Sequence, residues 1–348
     1  MKRHTVLPVL LVLVLTLVVA GAGCAGGGTA PSSATTSSMG GGAQGPAPAT
    51  SSSTTLATGP ASTATSEAAP VGVFAVMGDY GMDDKDEANV AKLVASWNPA
   101  YIIATGDDYY SPAGGKGTAK YDESTGAYYS RWLKDITTTG TRAPKGLAAR
   151  NAFFPALGNH DYSDAGIDNY LAYFKLPGAG FTNSSRNERY YDFVEGPIHF
   201  FVLNSNEEEP DGTSSTSKQA LWLKAQLAAS TSTWNIVYDH HPPYSSDLVH
   251  NSTGYMQWPF AAWGADAVLS GHAHDYERIE RDGIVYFVDG LGGGPRYVFG
   301  LPIQGDQVRY NDDWGALKVT VASDALTFEF WNEAGRLIDS YKLPAPTK

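Results

Sequence analysis

Five times between residues 71 and 274, an apolar run of strand length ends in a glycine or polar turn. Each turn is followed at once by Asp, Asn or His. Residues 71–77 run into Gly78-Asp79-Tyr80-Gly81, and 101–104 into Gly106-Asp107-Asp108-Tyr109-Tyr110. Residues 153–157 run into Gly158-Asn159-His160-Asp161, 234–238 into Asp239-His240-His241-Pro242, and 267–269 into Ser270-Gly271-His272-Ala273-His274. Short continuous apolar runs bounded by turn residues read as buried strands. In open α/β sheets, ligands sit outside the carboxyl ends of the strands. Five such ends carrying oxygen and imidazole donors predict one composite site.

Asp83 or Asp84 caps a helix through Ala88, Val90, Ala91, Leu93 and Val94, and a second helix covers 218–227. Residues 199–203 read as a further strand, and 284–288, 316–321, 326–331 and 337–343 give a strand-rich final third. Mixed strand–helix order early and strands late predict an α/β (α+β) domain of two packed sheets with helices outside.

The segment before this domain has a different character. Lys2 and Arg3 precede an apolar run over 6–20 and the small residues 21–23, the three-part layout of a bacterial export signal. Cys24 follows directly, as in a lipobox, although Gly21 stands where that pattern prefers Leu or Val. The expectation is an extracytoplasmic protein, either a lipoprotein of the cell envelope lipidated on Cys24 or a secreted one with a free thiol. Residues 25–70 are Gly, Ser, Thr, Ala and Pro with one charge, Glu67, and read as a disordered linker. The catalytic domain is then 71–348.

Composition closes off some classes. Lys plus Arg is 24 and Asp plus Glu 36, a net charge of −12, which argues against a nucleic-acid binder. One cysteine excludes intrachain disulfides and a cysteine-based zinc cluster.

The ordered set GDYG, GDDYY, GNHD, DHHP and GHAH resembles the calcineurin-like metallophosphoesterases, and the tyrosines after Asp107 resemble their purple acid phosphatase branch. The resemblance implies a four-layer αββα sandwich of two mixed sheets flanked by helices. It also implies two metal ions, one held by Asp79, Asp107, Tyr110 and His274, the other by Asn159, His240 and His272, with Asp107 shared. Carboxylates and a phenolate suit Fe(III), and the Asn/His/His set suits a divalent Fe, Zn or Mn.

Family spacing selects Tyr110 over Tyr109, and the His-x-Pro spacing selects His240 over His241. His241 is left facing substrate or supporting a ligand. Asp108 reads as a solvent-exposed or turn-stabilising carboxylate. His160 is the implied phosphate contact, with Asp161 beside it to orient the imidazole, and His250 is a candidate general acid. His199 reads as structural, and Glu207, Glu208 and Glu209 as a solvated run.

The implied reaction is hydrolysis of phosphate monoesters, water activated by the metals attacking phosphorus in line with the leaving oxygen. The implied substrate is a small phosphate ester or a phosphorylated molecule. A phosphodiesterase or nucleotidase of the same superfamily is the alternative, and a non-catalytic surface-anchored binding module a further one. No β-sandwich domain precedes Val71, unlike the large plant-type form, so the expectation is a short single-domain monomer. Its membrane contact would run only through the lipid on Cys24.

Overall fold

The computed structural model describes residues 70–347 except 111–115, 141, 143 and 164–165. The readings on the export segment, on Cys24 and on the linker up to residue 69 lie outside the described residues. The apolar runs do form strands. In the first sheet these are β1 (Pro70–Met77), β2 (Ile102–Ala104) and β3 (Phe153–Pro155). The second sheet uses β4 (Tyr191–Glu195), β5 (Ile198–Val202), β6 (Trp234–Tyr238), β7 (Ala267–Ser270), β8 (Tyr276–Arg281), β9 (Ile284–Asp289) and β10 (Asp306–Tyr310). The chain then returns to the first sheet with β11 (Gly315–Ala322), β12 (Ala325–Asn332) and β13 (Leu337–Pro344). Spatial order is β13-β12-β11-β1-β2-β3 in one sheet and β10-β8-β9-β7-β6-β5-β4 in the other.

Register places the site. β1, β2 and β3 are parallel and end level, with Met77 opposite Ala104 and Ala104 opposite Pro155. In the second sheet β5, β6 and β7 are parallel, with Val202 opposite Tyr238 and Tyr238 opposite Leu269. The loops carrying Asp79, Asp107 and Asn159 therefore leave one sheet at a common edge, and those carrying His240 and His272 leave the other in the same way.

The sheets pack face to face through aromatic rings. Phe74 of β1 meets Phe200 of β5 at 5.6 Å between centroids, and Tyr276 of β8 stacks on Phe330 of β12 at 4.1 Å. Aromatic pairs of this kind add to area burial. Helix α1 (Lys85–Ser96) covers the first sheet with Val90, Ala91 and Val94, and Asp84 caps it, accepting from the Asp86 and Glu87 amides. A short helical run follows: α2 (Ala119–Tyr121), a π turn at Asp122–Gly126, and α3 (Ala127–Tyr129). Helix α4 (Asp168–Tyr173) comes next. α5 (Lys218–Ala229) buries Ala220, Leu223 and Leu227 against Phe201, Val237 and Val268 on the outer face of the second sheet, near α6 (Phe260–Trp263). The architecture is αββα, two mixed sheets between helices. Among the described residues no helix is long and apolar enough to cross a membrane.

β4, β8 and β10 were not legible as strands. β8 reads Tyr-Glu-Arg-Ile-Glu-Arg, and its Glu277 is buried by the hydroxyls of Ser245 and Ser246, which it accepts. β4 and β10 are edge strands with charged residues, the usual composition of a guarded edge.

One helical carboxyl gives a stability prediction. Glu87 of α1 is fully buried, with one oxygen accepting the Asp83 amide at 2.7 Å and the other without a hydrogen-bond partner. Burial pushes its carboxyl well above the usual range. The native state thus keeps a proton that the unfolded chain releases, so stability falls as pH rises above the ordinary glutamate value. Glu87→Gln is expected to raise the melting temperature by a few degrees at pH 8 and to give no gain near pH 4. Thermal melts of both proteins at the two pH values check this.

Candidate metal centre

The strand-end loops bring every predicted donor together. Asp79, Asp107 and His272 each sit at positive φ, 58°, 55° and 66°. Left-handed backbone at a non-glycine residue is costly and clusters at functional sites. Here it turns each residue sharply out of its strand end.

The donors form two groups. In the first, the Tyr110 hydroxyl lies 3.1 Å from Asp79 Oδ1 and 3.0 Å from His274 Nε2, and His274 Nε2 is 3.2 Å from Asp79 Oδ1. In the second, His240 Nε2 lies 3.0 Å from Asn159 Oδ1 and 3.2 Å from His272 Nδ1. Asp107 stands between them. Its Oδ1 is 3.4 Å from His240 Nε2, and its carboxylate is in hydrogen-bond contact with the Tyr110 phenol. The groups are tied across the two sheets, since the His272 amide donates to Asp79 Oδ2 at 2.8 Å.

The proton arithmetic at His240 tests whether these residues fit a cation. His240 Nδ1 faces the Thr105 carbonyl at 2.9 Å, and a carbonyl can only accept, so Nδ1 carries the proton. Burial holds this imidazole at about 4, so it is neutral and Nε2 is a bare lone pair. That lone pair points at the oxygens of Asn159 and Asp107 and at a second imidazole. A bare nitrogen lone pair aimed at two oxygens and a second imidazole fits a cation, and ligating histidines commonly donate their other N–H to a backbone carbonyl. His274 repeats the pattern, with Nδ1 against the Pro295 carbonyl.

The electrostatics agree. Burial, and then the Asp107 and Asp79 carboxylates, push the Tyr110 phenol well above its ordinary value. Burial and then Asp79 and Asp161 do the same to Asp107. Burial would raise Asp79 too, but the His274 and His240 imidazoles hold it below the usual range. Burial and four neighbouring imidazoles drive His272 down. A positive charge at the centre would favour the ligating form of every one of these groups.

Access is one-sided. Asp79, Asp107, Tyr110, His240 and His274 are buried, while Asn159 is exposed and His160, His241, His250 and His272 are partly so. The His160 amide donates to Asp107 Oδ1 at 2.8 Å, and its ring lies 4.4 Å from the Tyr110 ring. His250 is brought in from a distant loop, its ring 3.9 Å from that of His272. His241 lies 4.3 Å from His272, ring to ring, with Nδ1 2.9 Å from the Ser205 hydroxyl.

Some expectations need correcting. Asp161 does not orient the His160 imidazole. Its carboxylate accepts the Gly158 amide at 2.9 Å, the Asp108 amide at 3.4 Å and the Tyr121 hydroxyl at 3.1 Å. It therefore ties the Asn159 loop to the Asp107 loop through the backbone. Asp108 is not solvent-exposed; it is fully buried and accepts the Tyr80 hydroxyl. Glu209 is not solvated as Glu207 and Glu208 are, but buried and paired with Arg189. His199 is held by Asp192 and Ser230, and Tyr109 is packed.

Other contributors went unread in the sequence. Ser205, Thr105 and the Pro295 carbonyl hold three of the imidazoles, and Tyr297 stacks on His274 at 4.3 Å. The glycine run 290–294 lies directly behind the site, where the Gly292 amide donates to Gly78 and the Gly294 amide to the Asp79 carbonyl. A side chain at Gly290 would meet the Ala273 carbonyl at 2.1 Å, so close backbone approach is the signal that run carries.

Comparison with known proteins gives the relationship. Residues 72–276 match the calcineurin-like phosphoesterase family. Purple acid phosphatase 23 of Arabidopsis thaliana is 25% identical over 250 residues, covering 63% of this chain and 52% of that protein. Fe(3+)-Zn(2+) purple acid phosphatase 12 of the same plant is 40% identical over 84 residues, 21% of this chain and 18% of that one. A purple acid phosphatase from yellow lupin superposes with a TM-score of 0.60 at 15% identity, covering 78% of this chain and 53% of that one. The chain thus spans about half or less of the length of these relatives. The family match covers more than half of the chain and contains all five strand-end motifs, and the chain belongs to the calcineurin-like phosphoesterase family.

Proposed function

We propose that this domain hydrolyses phosphate monoesters at a dinuclear centre, as an acid phosphatase. Asp79, Asp107, Tyr110 and His274 would hold Fe(III), and Asn159, His240 and His272 a divalent Fe, Zn or Mn, with Asp107 standing between the two sets. The observation that carries this reading is the bare His240 Nε2 facing Asn159, Asp107 and His272, beside a phenol wedged between Asp79 and His274. Relatives described as purple acid phosphatases, one of them as Fe(3+)-Zn(2+), support the metals and the substrate class. When bound, two cations would supply neutralisation of the phosphoryl oxygens and a lowered pKa for the attacking water.

The chain's own groups do the rest. Asp107 fixes the His160 amide, and the partly exposed His160 ring is presented to a phosphoryl oxygen at the mouth. His250 stands beside His272 on the open side, where a leaving alkoxide needs a proton. Asp247 holds its backbone, accepting the His250 amide at 2.9 Å. Ser205 aims His241 at the same opening.

The test pairs an assay with a spectrum. Pure protein is expected to cleave an aryl phosphomonoester in preference to the bis-aryl diester. It should show a broad visible band from phenolate-to-iron charge transfer that Tyr110→Phe abolishes. A colourless, iron-loaded wild type that prefers the diester overturns the reading.

A further inference from the structure

We propose that the ester this site takes has an apolar leaving group, alkyl or aryl, laid along a lip of Leu248, Val249, Val298 and Leu301; this deepens the phosphomonoesterase reading and rests on it. Large hydrophobic side chains exposed singly are ordinary, whereas contiguous ones mark interaction sites. Nine are exposed among the described residues, and four of them lie on two segments whose backbones pair, at 60%, 53%, 59% and 88% exposure in the order named.

The lip is a built feature. Its two segments pair antiparallel at Asp247 and Phe299, the Leu248 amide donates to the Val298 carbonyl at 3.0 Å, and the Gly300 amide to the Ser246 carbonyl at 2.7 Å. Buried Glu277 clamps Ser245 and Ser246 from below, and Asp247 accepts the Val249 and His250 amides.

Its position ties it to the reaction. His250 follows Val249 in one segment, and Tyr297 precedes Val298 in the other. Those two rings lie 5.2 Å apart and cover the metal-facing imidazoles, His250 on His272 and Tyr297 on His274. The segments that carry the exposed apolar side chains thus begin one residue, about 3.8 Å along the backbone, beyond the groups that would border a bound phosphate. A leaving group departing past His250 runs onto them.

Charge around the mouth disfavours a polyanionic leaving group. Arg296, which leads into Tyr297, is turned away onto the Asn311 and Asp312 carbonyls and the Trp314 ring. Across the mouth, Tyr255 donates to the Ser205 carbonyl below His241, and exposed Glu207 and Glu208 stand near that phenol. The chain as a whole is at −12.

The experiment is a chain-length series. n-Alkyl phosphates from ethyl to hexyl have leaving alcohols of nearly constant acidity, so differences in kcat/KM report contact with the chain. On the metal-loaded enzyme, kcat/KM should rise about twofold per methylene, half the effect of complete burial, or on the order of tenfold across the series. The double variant L248S/V298S should flatten that slope, and Leu221→Ser, on exposed α5 surface, should keep it. A flat series in the wild type, or an unchanged slope in the double variant, overturns the proposal. A flat series together with phosphatidylcholine vesicle binding that the double variant loses assigns the lip to a bilayer instead and likewise overturns it. Absence of all phosphomonoester cleavage sinks the functional reading itself, a different result from cleavage without chain-length dependence.

Discussion

Asp107→Asn is expected to lower kcat/KM on an aryl phosphate by at least about a thousandfold and to strip metal from the protein, with the fold intact. The substitution is nearly isosteric. The amide oxygen can still accept the His160 N–H that Asp107 Oδ1 accepts at 2.8 Å, so the local backbone keeps its anchor. What disappears is one negative charge between two sets of donors, since Asp107 meets His240 Nε2 on one side and the Tyr110 phenol on the other. At an effective dielectric of about 20, one unit charge 4 Å from another is worth on the order of 4 kcal/mol. That is roughly three decades in an equilibrium constant for each ion lost. The substituted amide also presents an N–H₂ toward a centre otherwise built of lone pairs. Metal content after exhaustive dialysis, read beside kcat/KM and a thermal melt, checks the expectation. A folded D107N protein that keeps two equivalents of metal and a tenth of the activity refutes the shared role given to Asp107.

The reach of the sequence follows from how the site is made. Six of the seven donors sit two to four residues past the end of an apolar strand and Tyr110 sits six past, and apolar strands ending in Gly-Asp, Gly-Asn, Asp-His or Gly-His are visible in one dimension. Parallel register then does the assembly without further instruction, because Met77, Ala104 and Pro155 end level in one sheet and Val202, Tyr238 and Leu269 in the other. The spacing to Pro242 that selects His240 over His241 separates two side chains with different surroundings. His240 is fully buried with its Nδ1–H donated to the Thr105 carbonyl, while His241 is partly exposed.

What stayed hidden were contacts between segments remote in sequence, where local pattern carries no direction. Asp161 adjoins His160 in the chain yet spends its carboxylate on the backbone of Gly158 and Asp108. Asp108 looks like a turn residue until the Tyr80 hydroxyl, from another strand end, is seen to bury it. β8 looks like a charged loop because its buried glutamate is satisfied by two serines more than thirty residues away. The apolar lip pairs residues fifty apart, each segment holding too few hydrophobic residues to be noticed alone.

Gly158→Ala is the second substitution with a large expected effect, and it tests the scaffold without replacing a donor. A Cβ at Gly158 would lie 2.2 Å from the Asp107 amide nitrogen, 2.2 Å from Asp107 Oδ1 and 2.9 Å from Asp107 Cα. Two of those three atoms are backbone and cannot swing aside as a flexible side-chain tip would, and real Cβ atoms essentially never come within 3.0 Å. The methyl group must therefore push the Asn159 loop and the Asp107 loop apart. These loops also share the Asp161 clamp, whose bond to the Gly158 amide is 2.9 Å. Overpacking a close-packed site costs typically about 1–3 kcal/mol. Catalysis suffers more than stability, because a displacement of about 1 Å between groups that must act together costs on the order of a hundredfold in rate. The expected result is a folded protein with a melting temperature several degrees lower, weakened metal retention and kcat/KM down by about a hundredfold or more. Gly72→Ala is the matched control, since a Cβ there meets nothing within 4 Å, and it should leave all three measurements close to wild type. Wild-type activity and metal content in G158A would mean that the two loops are free to separate, and that the donor geometry built on their contact is not what the reaction uses.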